Sequence, residues 1–189
     1  QRMTSSTIRP LVLMPLGDSI TDGGAKLRSY RYHLHQLLTN GGVDVRWTGT
    51  MTGVYDRRHG RNATSGIAVR SERHWGIEAQ RHEGHWGWTA EQLTHGNKRQ
   101  PQRGKLKQWL LKIEREALLP QVVLLHVGTN DLTKDVLKAG GRVGGVVQHV
   151  RGVLRRICER VPTASVFLAS LIPYCRGSES AIARRRRVE

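Results

Sequence analysis

Ser19 lies in Gly17-Asp18-Ser19-Ile20-Thr21, directly after the apolar run Leu11-Val12-Leu13-Met14. This places a hydroxyl at the C-terminal edge of a strand, where open α/β sheets carry their chemistry. Ester hydrolysis needs an activated nucleophile, a base to take its proton, and donors aimed at the developing oxyanion. Ser19 is the candidate nucleophile, and its backbone N–H, in a tight turn ahead of a helix, is one candidate oxyanion donor. Gly87, inside Gly84-His85-Trp86-Gly87-Trp88-Thr89, can offer a second N–H with no side chain to bar the substrate. Asn130, inside Gly128-Thr129-Asn130-Asp131, can offer a side-chain amide. Each also has a plainer reading: an ordinary turn after a strand, a turn glycine, and a turn asparagine bonded to its own backbone. Taken singly, each plain reading stands at least level with the functional one. Three such elements in the order expected for oxyanion binding are harder to explain as unrelated turns.

The elements that must position these residues follow from periodicity. Residues 11–14, closed by Pro15 and Gly17, form a short buried strand, and Ser29 precedes a helix with Tyr30, Leu34, Leu37 and Leu38 at helical spacing. Gly41-Gly42 stops that helix, and Val43-Asp44-Val45-Arg46-Trp47 alternates as a strand. Residues 50–81 keep no sustained period and read as a long basic loop or insertion, with short helical turns as an option. Thr89-Ala90-Glu91-Gln92 has the form of a capping box opening a short helix. Leu106, Trp109, Leu110 and Ile113 make the apolar stripe of another helix. Val122-Val123-Leu124-Leu125-His126-Val127 is a continuous run, as expected of a strand covered on both faces of a parallel sheet. The segment from Val143 to Ile157 predicts a helix despite its interior Gly144, Gly145 and Gly152, and Ser165 to Leu171 predicts a fourth strand. Strands alternating with helices imply a parallel sheet with right-handed crossovers and a site at its C-terminal edge. The division is a flexible 1–10, one domain over 11–174, and a basic irregular tail over 175–189.

With 189 residues the chain holds one domain with a sizeable core. The 31 Lys+Arg against 15 Asp+Glu give a net charge of +16, which favours polyanions as partners. Nucleic acid is a partner class that no motif supports, because arginines are not interleaved with aromatics that would stack bases; a solvated basic surface is the plainer reading. Cys158 and Cys175 form neither a metal-ligand set nor a disulfide framework, and a single bridge between them stays open. No run is long and apolar enough to span a bilayer, and no secretory signal core is present. The chain begins Gln1-Arg2, so a preceding segment that was removed or not included is expected, and the compartment stays open.

The segments Met14 to Gly23, Ser29-Tyr30-Arg31, His82 to Thr89 and Leu124 to Asp131 resemble those of the SGNH (GDSL-type) hydrolases. The nearest branch is the acetyl-xylan-esterase-like carbohydrate esterase family 3, and the resemblance covers roughly residues 11 to 174. It implies a three-layer α/β/α flavodoxin-like sheet, Ser19 as nucleophile, and the Ser19 and Gly87 amides with the Asn130 side chain as oxyanion hole. It also implies an ester of a carbohydrate or other small molecule as substrate, no cofactor or metal, and an extracellular setting. Asp18, Trp86, Trp88 and Asp131 are the expected substrate neighbours; the two tryptophans suit either sugar stacking or core and lid packing.

One family element is missing. The resemblance calls for an Asp-x-x-His pair after a fifth strand, and no histidine follows His149. Removing the histidine base of a serine hydrolase costs on the order of 10⁶ in kcat, so impaired turnover is expected. A fragment or altered reading frame lacking the last strand and helix is the favoured account; a dead relative and a substitute base are the others. His82 and His85 are candidate substitutes from their closeness to Gly87. Their spacing does not match the H-E-x-x-H pattern of zinc ligands. His126 reads as a packed, hydrogen-bonded core residue or a pocket wall.

Overall fold

β1 (Leu11–Gly17) is the centre of the molecule: Leu13, Met14 and Leu16 are buried, and strands pair with it on both sides. The structure is a computed structural model that describes residues 9–24, 29–56, 61–63, 75–132 and 144–172. After β1 come α1 (Ser19–Asp22), α2 (Tyr30–Asn40), β2 (Val45–Trp47), β3 (Met51–Thr52), β4 (Val54–Asp56), β5 (Arg61–Ala63) and β6 (Arg81–Gly84). Then follow α3 (Ala90–His95), α4 (Leu106–Arg115), β7 (Val122–His126), α5 (Gly144–Arg160) and β8 (Ser165–Leu168).

The main sheet runs β3-β6-β1-β7-β8, and β2 also pairs with β1. β2 and β6 share one side of β1: Leu11 to Leu13 register with Val45 to Trp47, while Leu16 and Gly17 register with Glu83 and Gly84. β7 occupies the other side over Leu13 to Gly17 and hands on to β8. All these pairings are parallel, and the short β3 alone runs against β6. This is the flavodoxin-like α/β architecture of the SGNH hydrolases, a mostly parallel sheet flanked by helices.

One face of the sheet carries the core. Met14, Leu16, Val123 and Leu125 meet Leu93 of α3, the α4 stripe Leu106, Trp109, Leu110 and Ile113, and Val153 and Ile157 of α5. The i, i+3, i+4, i+7 spacing of that stripe leaves every charged residue of α4 outside. Burying one such leucine contributes about 1.5–3 kcal/mol. This offsets the helix-weakening glycines of α5, so a segment of low intrinsic propensity is nonetheless helical. The Thr89–Gln92 capping box forms as the sequence predicts, with Gln92 N–H donating to Thr89 Oγ1 at 3.2 Å and Thr89 N–H to Gln92 Oε1 at 3.0 Å.

Residues 50–81 are not all loop. Their described part holds β3, the β4–β5 hairpin, a 3-10 turn over Ile77–Gln80, and at Arg81 the start of β6. These strands are two to four residues long, too short to show a period, and β6 reads Arg-His-Glu-Gly with no apolar signal. Residues 1–8 and the tail from 173, with Cys175, lie outside the described residues; Cys158 is exposed. Among the described residues no helix is long and apolar enough to cross a membrane.

Candidate active site

Register brings the candidate residues together. Gly17 of β1 is the Cα partner of Gly84 on β6 and of His126 on β7, so all three strands end at one level. The next residues of each strand carry Ser19, Gly87 and Asn130 out at the same sheet edge. The carboxyl ends of parallel strands are where open α/β sheets bind ligands. His85 N–H donates to Gly17 O at 2.9 Å and ties the Gly87 turn to the nucleophile turn.

The nucleophile turn is held from beneath. A Cβ on Gly17 would collide with the His126 carbonyl and Thr21 Oγ1, so only glycine lets β1 and β7 approach this closely. Asp18 is fully buried and caps α1, its Oδ1 accepting from Ile20 N–H at 2.9 Å. Burial pushes its carboxyl above the ordinary range, and Ile20 N–H and His126 oppose that shift. Ser19 opens α1 half-buried, and among the described residues no group bonds its Oγ. Asp18 therefore holds the start of α1 from inside the protein.

Arg31 fastens α1 to its surroundings. Its guanidinium is wholly buried and donates to Thr21 O (2.8 Å), Asp22 O (2.8 Å), Gln80 O (2.8 Å) and Gly53 O (2.7 Å). It also lies 5.0 Å from the Trp75 ring centre, within cation–π range. In the resembling motif Ser29-Tyr30-Arg31, Ser29 caps α2 and Arg31 is this strut. Sequence reading found the motif but not the role, because the four carbonyls come from three distant segments.

Gly87 has φ +74°, and a Cβ built there would meet nothing within 4 Å. The turn thus faces open space, and its backbone favours a glycine. Trp86 beside it is 40% exposed and stacks on Tyr55 of β4 at 4.8 Å and 25°. Trp88 lies the other way. It is 1% exposed, stacks on His85, and donates from Nε1 to Gln100 Oε1 at 3.0 Å. A ring so enclosed takes the core-packing alternative for Trp88 and leaves Trp86 as the aromatic at the surface. The Asn130 amide, in the helical turn that follows β7 where the sequence predicts a loop, donates to Trp88 O at 2.8 Å and ties that turn to the Gly87 turn. Asp131 is fully buried, and its two oxygens accept from Ala90 N–H at 3.1 and 2.9 Å. It anchors the start of α3.

Neither candidate substitute base is accessible. His82 is wholly buried, its Nδ1 accepts from Gly84 N–H at 2.9 Å, and burial holds its pKa well below the usual imidazole range. His85 is clasped by Glu83 Oε1 at 2.7 Å and stacked against Trp88 and Trp109. His126 is buried as expected, yet neither ring nitrogen has a hydrogen-bond partner among the described residues. Asp18 Oδ2 and Thr129 Oγ1 are likewise unsatisfied at this end of the sheet. Unpaired buried polar atoms are rare and expensive; others among the described residues are Asp22 Oδ2, Thr48 Oγ1, Asn62 Oδ1, Gln80 Oε1 and His85 Nδ1. Sequence reading missed His149, whose Nδ1 lies 3.3 Å from Asp131 Oδ1 with the side chain 30% exposed. No group of three or more potential metal ligands occurs among the described residues.

No protein-family model matches the sequence. No curated protein matches it either. Solved structures do match it. A carbohydrate esterase family 3 protein from Talaromyces cellulolyticus is 19% identical, with TM-score 0.56, over 84% of this chain and 60% of that one. An acetyl esterase mutant solved with acetate ion gives 19% identity, TM-score 0.55 and the same coverage. A family 3 carbohydrate esterase from Clostridium thermocellum is 25% identical, with TM-score 0.57, over 95% of this chain and 69% of that one. The chain therefore spans about two thirds or less of the length of the structures it matches. What the likeness establishes is the fold: the chain has the architecture of the family 3 carbohydrate esterases, a group of ester hydrolases.

Proposed function

We propose that this chain carries the nucleophile half of an SGNH-type serine esterase that removes a small acyl group, acetyl first, from a carbohydrate or other oxygen ester. The observation that carries the reading is the common level of Gly17, Gly84 and His126, from which Ser19, Gly87 and Asn130 emerge together. The acetyl esterase and carbohydrate esterases of the same fold support the substrate class. Ser19 Oγ would attack the ester carbonyl carbon as its proton passes to a base. The carbonyl oxygen then gains negative charge toward the Ser19 and Gly87 N–H groups and the Asn130 amide. Collapse expels the alcohol, and water frees the acid from the acyl-serine. This chemistry needs no cofactor.

Turnover by these 189 residues is expected to be slow. They contain no Asp-x-x-His pair after Leu171, and among the described histidines none bonds Ser19 Oγ. That observation favours the second reading, a non-catalytic SGNH-fold module that binds an acylated sugar or a polyanion. Hydrolysis of p-nitrophenyl acetate by the chain and by Ser19→Ala decides between them. A rate that falls to background in Ser19→Ala supports the esterase. Equal rates for the two proteins remove the serine mechanism and leave the binding module.

A further inference from the structure

Among the described residues the positive charge is unevenly placed. Residues 90–116 and 144–160, which build the α3–α4–α5 layer, carry eleven Lys and Arg against four Glu. The other described residues hold five arginines against seven aspartates and glutamates. Three of the four glutamates in the layer are already paired: Glu114 with Arg160, Glu116 with Arg81, and Glu159 with Arg156. Lys107, Lys112 and Arg115 of α4 and Arg151 and Arg155 of α5 are exposed. Among the described residues, then, the layer carries the excess of positive charge, which raises the local concentration of polyanions there.

A recess opens at this layer. It has a volume of about 350 Å³, at the small end of ligand pockets. Gln102, Arg103, Gln108 and Lys112 line it, with the backbone of Gly104 and the edge of Trp109. Two amides suit hydroxyl groups and two cations suit a carboxylate, a combination that fits a sugar acid. Duplex nucleic acid is too wide for such a recess, and Trp109, 4% exposed, has no open ring face on which to stack a base.

We propose that the Arg103–Lys112 recess binds a uronic-acid unit of an acidic polysaccharide, with the cations of α4 and α5 holding the neighbouring chain. The choice of a carbohydrate over other polyanions rests partly on the esterase reading, but the binding does not involve Ser19. The recess is reached from the same helical layer whose first turn follows Gly87.

The test uses the Ser19→Ala chain, so that turnover plays no part, with polygalacturonate, a neutral xylan and a DNA duplex as probes. Polygalacturonate should bind with an affinity that falls steeply as salt rises. Arg103→Gln with Lys112→Gln should weaken it on the order of tenfold or more, the worth of lost charge-assisted hydrogen bonds. The neutral xylan should bind more weakly, and DNA binding should be little changed by the double variant. Both positions are partly or fully solvent-exposed, so an unchanged thermal unfolding midpoint should show the variant folded. The proposal is overturned if the double variant binds polygalacturonate as the parent does. It is overturned equally if neutralising Arg184 to Arg187 alone removes the affinity, or if DNA binds more tightly and loses as much in the variant. None of these outcomes bears on Ser19-dependent hydrolysis, so the esterase reading stands or falls separately.

Discussion

Asp22→Asn should stabilise the protein, and increasingly so as pH rises. Asp22 closes α1, three residues after the candidate nucleophile, and is fully buried. Its Oδ1 accepts from Asn62 Nδ2 at 2.9 Å, His82 Nε2 lies 3.7 Å away, and Oδ2 has no partner among the described residues. Burial pushes its pKa up to about 7, against the pull of Arg31, Asn62 and Arg103. A carboxyl whose pKa is raised on folding holds its proton more tightly in the native state. Stability is then greatest below the unfolded value near 3.8, declines as pH climbs toward 7, and is level above that. With about 1.4 kcal/mol per pKa unit, the penalty is about 4 kcal/mol at roughly pH 8 and about 1.5 kcal/mol at roughly pH 5. The amide in Asp22→Asn keeps the acceptor for Asn62 and carries no charge at either pH. Urea unfolding of both proteins at the two pH values should show the advantage of Asp22→Asn growing by about 2–3 kcal/mol. The comparison is needed because His82, with its lowered pKa, makes an opposite contribution as pH falls below 6.5, while Asp18 and Asp131 add to the trend of Asp22. An advantage that is constant, or that shrinks toward high pH, would refute the reasoning.

Three further substitutions separate positioning from chemistry. Arg31→Met should leave four buried carbonyls without their donor and cost about 3–5 kcal/mol in denaturant unfolding, since an unmet buried polar group costs about 1–3 kcal/mol. Gly87→Ala forces a left-handed residue at about 1–2 kcal/mol and puts a methyl into the open space of the turn. Any Ser19-dependent hydrolysis should therefore fall by more than the stability loss explains; an unchanged rate would separate Gly87 from the oxyanion site. His149→Ala removes a half-buried contact to Asp131 and should cost less than about 1 kcal/mol in thermal unfolding. Labelling of Ser19 by a fluorophosphonate should proceed at the parent rate, and a large drop would make His149 part of the proton path.

Much of the scaffold is legible in the residues themselves. β1, β7, α4 and α5 announce themselves because they are long, apolar on the buried face and regular in period, and Thr89 and Gln92 announce α3 by their capping chemistry. The sheet's polar member could not be read that way. β6 is four residues of Arg-His-Glu-Gly, and it forms because Gly84 and Glu83 fit against Gly17 and Leu16, a fact of pairing rather than of propensity. The same limit divides the site. Ser19 and Asn130 stand at helix starts and Gly87 on a turn, all just past strand ends that glycine and apolar runs announce. The inward orientation of Trp88 and Asp131 depends on what α3 and its neighbours leave room for, and Trp86 and Trp88, two positions apart, meet opposite fates. Arg31 is the extreme case, since nothing near it in sequence supplies a carbonyl from residue 53 or 80.

The last described strand has its own consequence for handling the protein. Among the described residues β8 pairs only with β7, and Phe167 and Leu168 on it are 62% and 50% exposed. A parallel strand with one unpaired side and bare apolar residues is a template onto which another copy can add. Mutual repulsion between chains of charge +16 opposes that addition, and salt weakens repulsion while leaving apolar attraction in place. Concentrated samples should therefore remain dispersed in dilute buffer and self-associate through β8 as ionic strength is raised.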